Sequence, residues 1–329
     1  MSTAHPPHPA SAAMRAARTT IASALLGILA ATAPAAHADP APPDRPFLWR
    51  IDGDALQKPS YLFGTIHLSN DRIAQLHPAA EQAFVGADAL FTEITLNPAD
   101  QMAAAMLMMR RDGKTLSESI GPELTKKLAA QLREIQPGLD IAIFQPMKTW
   151  AAGMMVVMLP HQLDGRKALD AILWERATQA GQQTGGLEMI ADQIGAFEIL
   201  NEAEQVIYFR ETLKAIGEAE DTIEKLIAAY ETGDATTLET LLEESMKLDE
   251  EDEQVRDIGQ RLIAALITQR DVSMAAKIHD TLTQNPEKSA FFAVGAAHLL
   301  GDQSIRKHLE TKGYTITRIL KPSPPTDKP

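Results

Sequence analysis

Tyr61-Leu62-Phe63-Gly64-Thr65-Ile66-His67-Leu68 is the stretch whose reading decides the fold. A short apolar run meets a glycine, and a histidine follows three residues later. Phe291-Phe292-Ala293-Val294-Gly295-Ala296-Ala297-His298-Leu299 repeats the pattern near the other end of the chain. Each reads as a buried strand that closes into Gly-x-x-His-Leu and opens toward a helix. Of the six histidines after residue 38, only His67 and His298 have glycine three positions earlier. A lone strand-end histidine is usually a cap or a hydrogen-bonding group. Two matched copies point to one shared site, so the fold is expected to bring them together.

Working outward, Phe47 to Ile51 alternates like a strand, Asp52-Gly53-Asp54 supplies a turn, and Ser60 to Thr65 is the next strand. That hairpin delivers His67. Ala89 to Ile94 is a short apolar run, read as a buried strand ending at Glu93. The far end reads strand (Ala290 to Val294), helix (Gln303 to Thr311) and strand (Tyr314 to Leu320). Between the ends the chain is mostly helical: Asp100 to Arg111, Glu123 to Glu134, Pro146 to Leu159 stopped by Pro160, and Leu169 to Ala180. Thr184 to Glu188 looks like a brief return to the sheet. Helix then dominates from Ala191 to Leu248, broken at Gly217 and Gly233, and a further helix spans about Glu253 to Leu282. The expectation is an α/β fold: a central sheet built from both ends of the chain, with a large helical middle. One domain would run over 39–320, with a helical insertion at about 97–182. Open α/β sheets bind ligands beyond the carboxyl ends of their strands, where His67, Glu93 and His298 all fall.

Composition narrows the chemistry. The chain has no cysteine, which excludes thiol nucleophiles, disulfides and thiolate metal sites. Its formal net charge of −13 makes nucleic acid and anionic membranes poor partners. Arg15 and Arg18, the apolar Thr20 to Thr32 and then Ala36-His37-Ala38 fit a secretory signal peptide over 1–38. Export is expected, to the periplasm or beyond, with no membrane span in the mature chain. The proline-rich 321–329 reads as a disordered tail.

Imidazoles and carboxylates are the natural ligands for Zn, Mn or Co where thiols are absent. A carboxylate beside such an ion either coordinates it or takes a proton from water. His67, His298 and Glu93 form the core constellation. Glu188, after Gly185-Gly186, is a fourth candidate ligand, and Arg270 could stabilise a developing negative charge. Each has a bland rival: a solvent-facing edge for Glu93, a helix-start carboxylate for Glu188, a surface ion pair for Arg270. Met102, Met106 and Met109 share a helix face and read as core filler rather than a copper site. The acidic run Glu243 to Glu253 lacks calcium-loop spacing and reads as a solvated helix face. Ser117 and Ser119 carry no serine-hydrolase signature.

These motifs resemble the TraB/GumN family, which is related to the Tiki metalloproteases and more loosely to erythromycin esterases and haem-binding ChaN-type proteins. The similarity runs from Phe47 to Ile319. It rests on Leu62 to His67, Ala87 to Glu93, Gly186-Leu187-Glu188 with Gln193, and Val294 to Leu299 with Gly313-Tyr314. The resemblance implies a two-half α/β architecture with its site between the halves. It marks His67, Glu93 and His298 as metal or catalytic residues, with Glu188 and Arg270 beside them. Where Arg-Asn would be expected before the final helix, this chain has Arg270-Asp271, which counts against Arg270.

The functional expectation is an exported metal-dependent hydrolase acting on peptides. The alternatives are a periplasmic binding protein for haem, a metal complex or a peptide, and an envelope assembly scaffold.

Overall fold

A computed structural model describes residues 43, 45–68, 70–163, 166–246, 248 and 252–321. The expected signal peptide and the tail beyond Lys321 lie outside them. In chain order the elements are β1 (Leu48–Asp52), β2 (Ser60–Thr65), α1 (Pro78–Gly86), β3 (Ala89–Thr92), α2 (Pro98–Leu107), α3 (Leu116–Ile135), α4 (Thr149–Gln162) and α5 (Leu169–Gln179). There follow β4 (Gln183–Gly186), α6 (Ile190–Gly195), α7 (Glu202–Thr232), α8 (Ala235–Met246), α9 (Glu253–Ile263), a π-turn (Ala264–Thr268) and α10 (Gln269–Gln284). The chain closes with β5 (Ala290–Gly295), α11 (Ile305–Thr311) and β6 (Thr315–Arg318).

The six strands make one sheet in the order β4-β3-β5-β2-β1-β6. The sheet is built from both ends of the chain, as the strand distribution implied. β1 and β2 form the expected antiparallel hairpin, and β6 adds antiparallel to β1. From β2 outward the sheet is parallel: β2, β5, β3 and β4 run parallel to one another. β5 lies between β3 and β2, so it is covered on both faces and reads as an unbroken apolar run rather than an alternating one. Its Phe291 and Ala293 join the cluster under α1 and α5. Phe292 and Val294 face the larger cluster, which holds most of the remaining helices.

Register places the site. Thr65 on β2 is opposite Gly295 on β5, and Thr92 on β3 is opposite Ala293. Parallel strands lie about 4.8 Å apart, so the residues after these pairs emerge at one end of the sheet as near neighbours. The two Gly-x-x-His motifs therefore meet because their strands pair in parallel, almost in step. Tyr230, near the end of α7, ties this edge to the helical layer: its buried hydroxyl donates to the Gly64 carbonyl at 2.7 Å. Its ring stacks on Phe47 at 5.1 Å.

Four helix readings are corrected. α4 runs past Pro160 to Gln162, because proline sits in the last turn, where it forfeits a single ladder bond. α7 continues through Gly217, since one glycine costs a long helix only about 1 kcal/mol. The helix expected over 253–282 is divided by the π-turn. The methionine stripe is only partly core: Met102 and Met106 on α2 are 65% and 53% exposed, whereas Met109 beyond the helix end packs half-buried against the core and its neighbour Met108 is buried. Replacing Tyr230 by Phe should remove the donor to a buried carbonyl and lower stability by about 1–3 kcal/mol. Urea denaturation reads this directly, and an unchanged midpoint would mean that the tie carries no weight.

Candidate active site

Four neighbouring strand ends deliver four of the residues singled out in the sequence. Glu93 follows β3, Glu188 follows β4 by two residues, His67 follows β2 and His298 lies in the turn after β5. Arg270 comes from α10, so five candidates from five parts of the chain meet. All are buried except Glu188, whose side chain is nonetheless only 6% exposed.

Glu93 is the centre. Oε1 accepts from the Gly295 backbone N–H at 2.6 Å and lies 3.2 Å from His67 Nε2 and 3.7 Å from His298 Nε2. Oε2 accepts from Arg270 Nη2 and, at 3.1 Å, from Gln193 Nε2 on α6. Gly295 has to be glycine: a Cβ there would stand 2.9 Å from His67 Nε2 and 3.1 Å from Glu93 Oε1. Gly64 is as constrained, with Phe47 Cβ at 3.1 Å and the Ala296 backbone at 3.3 Å from where its Cβ would be.

Each histidine is held from behind by an aspartate. His67 Nδ1 is 2.9 Å from Asp170 Oδ2, and Thr65 Oγ1 donates to Asp170 Oδ1 at 2.6 Å. His298 Nδ1 is 2.6 Å from Asp271 Oδ1. The aspartate that counted against Arg270 in the sequence therefore has its own function, and Arg270 is fully engaged. Arg270 Nε spans the Glu188 carboxylate at 3.0 and 3.1 Å, Nη1 donates to the Leu266 carbonyl at 2.8 Å, and Nη2 bridges Glu93 and Glu188. The Leu266 carbonyl belongs to the π-turn, and π-turns often mark functional positions. Sequence reading missed Asp170, Asp271 and Gln193. Gln193 had been noted only as part of the family resemblance. Asp170 carried a faint signal, an acid in the first turn of an otherwise apolar helix segment.

The electrostatics follow from burial. Four carboxylates (Glu93, Glu188, Asp170, Asp271) face one guanidinium, so the cluster carries −3 when both histidines are neutral. Burial alone would push Glu93 up, but the Arg270 guanidinium and the His67 imidazole hold it well below the usual carboxylate range. Burial opposes charge on His67, yet Asp170 and Glu93 outweigh it and raise the imidazole to about 10. Burial wins at Glu188 and Asp271, both of which are pushed up despite the nearby Arg270 guanidinium.

These donors could hold a cation. The chemistry suits a divalent ion: both Nε2 atoms face one carboxylate, and both Nδ1 atoms are backed by acids, as is common for metal-ligating histidine. Two donors on one ion at about 2.1 Å are separated by roughly 3–3.5 Å, close to the distances from Glu93 Oε1 to the two Nε2 atoms. Even so, no group of three or more His, Asp or Glu side chains stands arranged as a metal site among the described residues. The adjoining cavity, lined by His67, Thr92, Glu93, Ile94, Leu96, Asp170 and Gln193, has a volume of about 20 Å³. That is room for one water.

A sequence model of the TraB/PrgY/gumN family matches residues 47–318. The chain belongs to the TraB/PrgY/gumN family. Among curated proteins it is 26% identical over 312 residues to "Metalloprotease TIKI2" of Danio rerio, covering 82% of this chain and 60% of that one. It is 26% identical over 318 residues to "Metalloprotease TIKI homolog" of Nematostella vectensis, covering 83% and 67%. "Metalloprotease TIKI1" of Homo sapiens is 24% identical over 314 residues, covering 82% and 61%. The chain thus spans about 60% of the length of most of these relatives. No solved structure matches it.

The raised imidazole gives a pH signature in metal-free protein. His67 is charged in folded and unfolded chain alike below about 6.5, so its contribution is complete there. It is lost as pH rises through about 10, where the folded form also gives up its proton. Melting temperature should therefore fall between these values. His67→Gln should flatten that slope, and an equal slope in both proteins would contradict the ion-pair reading.

Proposed function

We propose that this chain is an exported, metal-dependent hydrolase that cleaves peptide bonds. The observation that carries the reading is the convergence of His67 Nε2 and His298 Nε2 on Glu93 beyond the carboxyl ends of neighbouring parallel strands. Curated relatives named as metalloproteases support the reaction class. The single-water cavity beside His67 and Glu93 suits hydrolysis better than retention of haem, which needs a far larger apolar pocket.

His67, His298 and Glu93 would hold the ion, Mn, Co or Zn, with Glu188 beside them. When bound, such an ion would supply Lewis-acid polarisation of the substrate carbonyl. The chain's own groups divide the remaining work. Glu93, held ionised by its neighbours, is a poor proton acceptor and a good anionic anchor. Glu188, pushed up by burial, comes nearer the range in which a carboxylate works as a general base. Two carboxylates with opposed shifts on one arginine is the pattern expected when anchor and base are separate residues. Arg270 keeps both in place; with its N–H groups already committed, it would favour the oxyanion that forms as water adds through its positive charge alone.

Export rests on the N-terminal pattern in the sequence. Mature protein from a Gram-negative host should begin at Asp39 and fractionate with the periplasm.

The test is a metal inventory beside a peptide-library assay. Protein purified without chelator should carry about one equivalent of Mn, Co or Zn and cleave peptides when supplied with Mn²⁺. His67→Ala and His298→Ala should lose both properties. Glu188→Gln should keep the metal and lose about 10²–10⁴-fold in kcat/KM. Parent protein with no stoichiometric metal, or variants that lose none, would defeat the proposal.

A further inference from the structure

His298 is fully buried in the turn after β5, and its ring has polar contacts on both sides. Nδ1 lies 2.6 Å from Asp271 Oδ1. Nε2 lies 3.3 Å from Arg270 Nη1. A guanidinium nitrogen can only donate. Nε2 must therefore be the acceptor in that contact, and a ring that accepts at Nε2 while staying neutral carries its proton on Nδ1. Nδ1–H then donates to Asp271, the one carboxylate within reach of that nitrogen. The partners thus select one of the two neutral tautomers, which coordinates alone do not display.

His67 differs in this respect. Its Nδ1 and Nε2 both face carboxylates, Asp170 and Glu93. Without a metal its ring satisfies both only by carrying two protons. The matched motifs are thus matched in position and not in protonation.

We propose that Asp271 is a positioning residue that locks His298 in the Nδ1–H tautomer, so that Nε2 keeps its lone pair free of a proton and accepts from Arg270. The geometry behind it is the short α10 segment in which Arg270 and Asp271 are consecutive. The first residue contacts Nε2 and the second contacts Nδ1, so the dipeptide grips the imidazole at both nitrogens. The π-turn just before α10 matters here: an added residue turns all that follows by about 100°. Removing Asp271 would leave a buried N–H without an acceptor and free the ring to exchange tautomers. An amide oxygen at the same position could still accept, so Asn should preserve the grip where Ala cannot. This inference rests on the proposed function only where it concerns metal affinity; the tautomer follows from the contacts alone.

The experiment is long-range ¹H–¹⁵N spectroscopy of the imidazoles in metal-free mature chain, with His298 assigned by its loss in His298→Asn. The parent should show a protonated Nδ1 and a bare Nε2 at His298, with a doubly protonated ring at His67. Asp271→Asn should keep the His298 pattern, and Asp271→Ala should replace it with a mixture or the other tautomer while leaving His67 unchanged. Titration with Mn²⁺ should show affinity about 10–100-fold weaker in Asp271→Ala, with most of it restored in Asp271→Asn. A parent His298 protonated at Nε2, or an Asp271→Ala spectrum like the parent's, would overturn the assignment. So would Asp271→Asn behaving as Asp271→Ala does. If the parent takes up no Mn²⁺, the metal reading fails, while the spectra still decide the role of Asp271.

Discussion

The structure depends on how the Glu93 carboxylate is satisfied. A buried carboxylate without partners would cost several kcal/mol or take up a proton. Here one oxygen meets the Gly295 amide and the two imidazoles, and the other meets Arg270 and Gln193. Those partners come from β5, the segment after β2, α10 and α6. Closing the sheet from both ends of the chain and folding α6 and α10 over it are what neutralise Glu93. The carboxylate is thus the point at which sheet register, helix placement and local charge have to agree.

The same requirement explains both glycines. At Gly295 the backbone must donate to Glu93 with His67 against its Cα, which leaves no room for a side chain. At Gly64 the parallel partner and Phe47 close in from two sides. Neither glycine takes a left-handed conformation, so close approach is the reason for both. Beyond the glycines, the cluster retains excess negative charge. The proton that Asp170 and Glu93 hold on His67 offsets part of that charge.

Much of this was legible in the sequence because it was local. Gly-x-x-His-Leu after an apolar run identifies a strand end, and two copies point to one shared site. The run ending at Glu93 and the Gly185-Gly186 before Glu188 work in the same way. What was not legible depends on helix rotation. Asp170 and Gln193 are ordinary residues in helical stretches until α5 and α6 are docked. Asp271 looked like a damaging substitution because nothing in the sequence shows the π-turn that aims it at His298. Met102 and Met106 misled for a related reason: an apolar stripe shows that a helix face exists, and packing decides which face is buried.

The proposed reading turns on whether the two imidazoles and Glu93, from distant parts of the chain, hold a single cation. The most direct measurement is an anomalous difference map from crystals of the mature protein grown with Mn²⁺. The account predicts one strong peak bonded to His67 Nε2, His298 Nε2 and a Glu93 oxygen, with Asp170 and Asp271 still behind the rings. A map with no peak there, or with manganese bound only elsewhere on the molecule, would contradict it.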